Sequence, residues 1–191
     1  MDNLDEMIVE MRQKQQSKNT SDEMHLSTEL SGFKYVVILE DELEMIVPKD
    51  FTDMDVTIAK NKYPSEQRPQ CIKTSPNTTV DFGISLVNID ISGLILEECA
   101  EDLKGVLKKT NPAMEFFDSG VEELDDFNLA WFDYKSFAVD GQMYNIMFVA
   151  NHNKKMLHGM FNCIFSSRIE WQDTALKCIK SIRKTNDLQD N

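Results

Sequence analysis

Basic residues are scarce in this chain. Lys and Arg number 20 against 33 Asp and Glu, which leaves a formal charge of −13 and a pI near 4.6. Nucleic-acid binding rests on clustered cations, so this balance argues against it, and an anionic membrane surface would repel the chain for the same reason. Glycine is also sparse. The seven glycines are scattered, so neither a GxGxxG turn nor a phosphate-cradling Walker loop can be assembled. GxSxG, HExxH and the kinase signatures are absent as well. The four cysteines, Cys71, Cys99, Cys163 and Cys178, lie far apart with no CxxC, and reduced, partly buried thiols are expected. No apolar run approaches the ~18 residues of a membrane helix. The first residues lack a positive start followed by an apolar core, so a cytoplasmic protein is expected.

Apolar residues make up 41% of the chain, enough for a packed core. Residues 2–15 space Leu4, Met7, Ile8 and Met11 along one helical face. Residues 16–31 are polar. The expected organisation is therefore a helical arm and linker over 1–31, one domain over 32–185, and a polar tail over 186–191.

Within the domain, the stretch "FKYVVILEDELEMIVPKDF" reads as two strands around the acidic turn Glu40-Asp41-Glu42. Residues 59–76, with three prolines, read as a long irregular connection, and Arg68 is its one salient cation. Val80, Phe82, Ile84 and Leu86 alternate with polar neighbours as a half-buried strand. A helix follows with Cys99, Leu103, Val106 and Leu107 on one face and Lys104, Lys108 and Lys109 in its last turns, stopped by Pro112. Four strands come next, with Asp140-Gly141 as a hairpin signal. Trp131 and Phe137 share one face of the aromatic strand, and Phe132 and Tyr134 share the other. A terminal helix carries a Ser167/Glu170 capping box and the stripe Ile169, Leu176, Ile179 and Ile182. This order predicts an α+β domain: an antiparallel sheet of six to seven strands with helices packed on it.

The segment "HNKKMLHGMFNCIF", residues 152–165, tests for chemistry. Successive strand residues face opposite sides, so His158 and Cys163, an odd number apart, look away from each other. They cannot form a thiolate–imidazole pair. Zinc needs three or four converging ligands, and none converge on His152 or His158; His25 lies in the polar arm. The acidic clusters Glu40–Glu44, Glu97–Asp102 and Glu122–Asp126 lack the spacing of a calcium loop and read as solvated faces. No cofactor, metal or catalytic residue is expected.

A turn at His152-Asn153 would set Phe148 against Leu157 and Met147 against His158. One sheet face would then gather Met143, Asn145, Met147, Met156, His158, Met160 and Asn162. Methionine is flexible and recurs on surfaces that accept varied apolar partners. This face is therefore the candidate site for an apolar segment of another protein, with the amides of Asn145 and Asn162 offered to its backbone. The alternative is that the protein's own helices cover it.

The strings "LEMIVPKDFTDM" and "KYPSEQRPQ", the helix ending "KKTNP", and "YNIMFVANHNKKMLHGMFNCIF" before a terminal helix resemble a known superfamily. It is the α/β sandwich group that includes PsbP of the oxygen-evolving complex, the DcrB proteins and the Eag effector chaperones. The resemblance covers roughly residues 33–184. It implies a PsbP-like sandwich, bacterial in kind and without enzymatic activity, whose relatives bind proteins, and no functional residue carries over with it. The function expected is a cytoplasmic adaptor or chaperone-like domain that covers an apolar segment of a protein or peptide partner. Two alternatives come from other classes: a small-molecule binder or enzyme using carboxylates near Asp125-Asp126 and Tyr134, and an oligomeric component assembled through the arm.

Overall fold

The computed structural model describes residues 31–39, 43–138 and 141–185. The chain divides into two units, residues 1–34 and 35–191, and the fold below is that of the second. The expected arm helix, the acidic turn at 40–42, Asp140 and the tail 186–191 lie outside the described residues.

The strands are β1 (Phe33–Ile38), β2 (Leu43–Pro48), β3 (Thr52–Asp53), β4 (Cys71–Thr74), β5 (Asp81–Val87), β6 (Glu115–Glu123), β7 (Asn128–Ala138), β8 (Gly141–His152), β9 (Lys155–Ile164) and β10 (Arg183–Lys184). The described helices are α1 (Val56–Lys62), α2 (Leu96–Thr110) and α3 (Arg168–Lys180). Seven strands form an antiparallel sheet in the order β3-β4-β5-β9-β8-β7-β6, and β1-β2-β10 form a small second sheet. The expected α+β sheet with packed helices is present. The second sheet was not anticipated, because β10 is only two residues long and pairs with β2 at the far end of the sequence.

The β8–β9 hairpin corrects the expected register. Its turn is Asn153-Lys154, with φ of 50° and 59°, the paired left-handed conformation of a type I′ turn. His152 therefore ends β8 opposite Lys155. Every partner moves by two residues: Met147 faces Met160, Asn145 faces Asn162, Phe148 faces Gly159 and Val149 faces His158. The slip preserves parity, so the face assignments survive it. His158 and Cys163 lie on opposite faces.

One face of the large sheet packs against α3. Phe51, Phe82, Phe161 and Trp171 form an aromatic chain there, with ring centroids 5.0 to 6.1 Å apart. Gly159 leaves room for the Phe148 ring, since a Cβ would sit 2.0 Å from Phe148 Cζ. Burial pushes the thiols of Cys163 and Cys178 up to about 12. In α3, Ala175, Cys178 and Ile179 are buried and Ile182 follows them, but Ile169 is 94% exposed. Ser167 precedes the helix without a side-chain cap bond, so neither the expected capping box nor the first residue of the stripe is realised. The intervening turn Phe165–Ser167 reorients the chain before α3 begins.

The opposite face carries α2. Leu96, Cys99, Leu103 and Leu107 pack against Ala130, Phe132, Tyr134, Met147 and Val149. Val106 turns out to solvent instead. The stretch expected as irregular, 59–76, contains the end of α1 and all of β4. Asp55 caps α1, its Oδ1 accepting from the backbone of Thr57 and Ile58 at 2.8 and 3.2 Å. Pro64 ends α1 by denying the next turn an N–H. A helix of 7 residues is too short to establish a hydrophobic period, which is why it was not read.

Candidate functional site

The sheet face predicted as the partner surface is two environments. Over β7 and β8, α2 covers it. Met147 is buried, and Met156 packs against the same cluster beneath the helix. Asn145 is buried too, donating through Nδ2 to Ser136 Oγ at 2.9 Å. Met143 is half-buried at the start of β8. The seven residues share a face, but they do not form one open surface.

Over β5 and β9 the covering is different. Asp81, fully buried at the start of β5, gathers a polar cluster. It accepts from Thr74 Oγ1 at 2.5 Å and from Tyr63 Oη at 3.1 Å, and it pairs with Lys62. Lys62 Nζ also donates to the Thr78 carbonyl at 2.8 Å. Asn162 Nδ2 donates to Tyr63 Oη at 2.8 Å. Burial, together with the Asp81 charge, pushes the Tyr63 hydroxyl well above its ordinary range. The cluster fixes the end of α1 and the start of the following loop onto the sheet.

The far end of that loop is fixed as firmly. Gln70 donates its backbone N–H to Ser85 Oγ at 3.2 Å. Its side-chain amide accepts from Leu86 N–H at 3.0 Å and donates to the Leu86 carbonyl at 3.3 Å, which continues the β4 ladder beyond Cys71. Between these anchors Pro69 drops onto Gly83. A Cβ at Gly83 would lie 2.7 Å from Pro69 Cγ, so only glycine admits the contact.

The loop stands over an open groove of about 320 Å³. Its floor is two cross-strand pairs, Gly83–Met160 and Ser85–His158. Tyr63, Pro64 and Pro69 supply apolar walls, and Lys62 and Arg68 also line it. Tyr134 Oη points to Met160 Sδ at 3.8 Å, tying Met160 to the α2-covered cluster. Burial pushes the Tyr134 hydroxyl up to about 12 and holds the His158 imidazole below its ordinary value, so His158 is neutral near pH 7.

Of the predicted residues, His158 and Met160 line the groove, Asn162 buttresses its wall, and Met143, Asn145, Met147 and Met156 lie outside it. Sequence reasoning singled out the Pro-rich loop and Arg68 separately from the methionine face and did not join them. Lys62, Tyr63, Gly83 and Ser85 were missed as site residues. Their meeting with His158 and Met160 depends on β5 pairing with β9 across more than seventy residues of chain, which no local pattern encodes.

The residues of the carboxylate alternative, Asp125, Asp126 and Tyr134, lie apart along the sheet. Asp125 and Asp126 lie in the β6–β7 turn, beyond the Glu123–Asn128 pair. Tyr134 lies six residues along β7 from that pair, roughly 20 Å of strand. Asp126 accepts the Lys184 backbone N–H at 2.7 Å. Among the described residues, no three His, Cys, Asp or Glu side chains converge as a metal site.

No family model matches the chain, and no curated protein matches it. Solved structures do. Cyanobacterial PsbP (CyanoP) from Synechocystis sp. PCC 6803 matches with a TM-score of 0.59 and 13% identity, over 80% of this chain and 92% of that one. LpqN of Mycobacterium tuberculosis, involved in cell envelope biogenesis, matches with a TM-score of 0.53 and 13% identity, over 81% and 91%. At such identities the likeness is one of fold, and the fold is the PsbP-like α+β sandwich expected from the resemblance.

Proposed function

We propose that this protein is a non-enzymatic binding domain that seats an apolar segment of a partner protein in the groove between the 62–70 loop and strands β5 and β9. The observation that carries the reading is the floor of that groove. Met160 and His158 belong to a sheet face whose other half is sealed by α2, yet here the loop arches over the sheet and leaves a cleft. The cleft walls are tied to the sheet at both ends of the loop. Two prolines, a Gly–Pro contact and the Asp81 cluster hold them, so little ordering opposes binding. Covering about 200 Å² of apolar surface would contribute about 5 kcal/mol at roughly 25 cal/mol per Å², before ordering costs. That magnitude suits reversible capture.

The acidic surface elsewhere keeps the protein from anionic polymers and bilayers and leaves proteins as its partners. An adaptor of this kind needs no converging acid–base pair, and the neutral His158 serves as wall and hydrogen-bond donor.

The test is calorimetric titration with an acetylated, carboxamide-capped pentapeptide ending in leucine and phenylalanine. Binding should be lost in Met160→Lys, with the unfolding midpoint checked in parallel, and retained in Val106→Lys, which alters an exposed position on α2. Equal affinity in all three proteins, or no binding of this peptide or its free acid to any of them, would remove the reading.

A further inference from the structure

The groove has the opposite charge character to the chain around it. Acids outnumber bases by 33 to 20 in the sequence, yet the groove lining includes Lys62, Arg68 and His158 and no Asp or Glu. Lys62 is committed to Asp81. Arg68 is not committed in this way.

The described arginines show the contrast. Arg183 pairs with Glu44 at 2.6 Å, and Arg168 reaches Asp133 at 3.5 Å and Asp118 at 3.8 Å. Among the described residues no carboxylate lies within ion-pair reach of Arg68. Its Nε donates to the Ser65 carbonyl at 3.4 Å, which leaves the terminal nitrogens of the guanidinium for another acceptor. Arg68 is partly exposed at the groove, and its planar fork matches a carboxylate. Among the described residues none supplies that anion at the groove, which points to one brought by the ligand.

The position of Arg68 narrows that ligand. Arg68 and Pro69 also line a second cleft, of about 500 Å³, whose walls include Met54, Ala59 and Ile72. They therefore form a ridge between the two clefts, seated on the sheet through the Pro69–Gly83 contact. A peptide lying in the first groove runs against this ridge, with the guanidinium at the stop. The groove is also small for a bound segment, near the lower end of ligand-site volumes.

We propose that the groove takes the carboxyl-terminal end of a partner polypeptide. The last apolar side chains lie on Met160, Tyr63 and Pro64, and the terminal carboxylate accepts both terminal N–H groups of Arg68. The assignment rests on the groove being the partner site, as proposed above, and adds the chemistry that selects the partner.

The experiment compares the carboxamide-capped pentapeptide with the same peptide as its free acid, both acetylated at the other end. Titrations use the full chain, Arg68→Gln and Arg68→Lys. The free acid should bind about tenfold or more tighter than the amide, the worth of a charge-assisted bidentate contact. Arg68→Gln should erase that gap, and Arg68→Lys should restore only part of it. Equal binding of acid and amide to the unaltered protein, or a gap that persists in Arg68→Gln, overturns the carboxylate assignment and leaves the groove as an apolar site. Failure of both peptides to bind removes the groove reading and this inference together. Decanoate serves as a competitor: displacement of the acid peptide by decanoate at matching affinity would mean that the site reads any apolar carboxylate, contradicting a polypeptide end.

Discussion

The two halves of one sheet face carry similar residues and behave differently. Over β7 and β8, Met147, Asn145, Phe132 and Tyr134 are sealed under a 15-residue helix. Over β5 and β9, Met160 and His158 lie beneath a proline-punctuated loop that holds itself away from the sheet. Residue type does not decide which half is core. The covering element does. An amphipathic helix can follow a flat face closely with its leucines, whereas a loop pinned at Tyr63 and Gln70 bridges its floor and leaves a cleft.

The largest perturbation should fall on the sealed half. Phe132→Ala removes a buried ring between α2 and the sheet and should cost about 3–5 kcal/mol in denaturant unfolding. A cost under about 1 kcal/mol would mean that the helix is loosely seated and the contrast between the halves is false. Next comes Asp81→Asn, which strips the buried anion from Lys62 and Tyr63. Because Lys62 is partly exposed, the loss should be about 2 kcal/mol, with faster amide exchange at Lys62 and Tyr63 and no change beneath α2. Gly83→Ala drives a methyl into Pro69. We expect about 1–2 kcal/mol of destabilisation, a displaced ridge, and weaker peptide binding than the fold loss alone would explain.

The smallest effect is the response to pH. Burial lowers the His158 pKa in the folded protein from 6.5. Below that pH the unfolded chain takes up a proton that the native groove resists, so unfolding gains. The His158 contribution is thus complete above about 6.5 and lost as pH falls. In His158→Gln the stability profile should flatten over that window, and an unchanged profile would place His158 in a wetter setting than the groove floor.

Parts of this contrast could be read from the sequence, for identifiable reasons. Alternation in 80–87 and strand-length apolar runs in 128–164 make the strands legible, and the two-residue period of a strand sets His158 away from Cys163. The hairpin register differs from the expected one by two residues because a type I′ turn at Asn153-Lys154 needs a lysine in the left-handed region, which composition does not announce. Helix α2 was legible from its charges and leucines, though Val106 was misassigned to its buried face. Ile169 was placed in a core stripe because its spacing fits. The turn at 165–167, however, reorients the first residues of α3 toward solvent. The groove itself was beyond reach. It needs Gly83 beneath Pro69 and Asp81 beneath Tyr63, contacts that follow the β4–β5 pairing, and it needs Met160 and His158, which arrive only once β5 lies beside β9.

Methyl-labelled methionine reports on both halves at once. Carbon-13 spectra of Met143, Met147, Met156 and Met160 should be followed while the acetylated pentapeptide, acid or amide, is titrated in. If the open half of the face is the binding site, the Met160 methyl moves in a saturable way while those of Met147 and Met156 stay in place. Shifts spread equally over the α2-covered methionines, or a Met160 signal that never moves, would contradict the account.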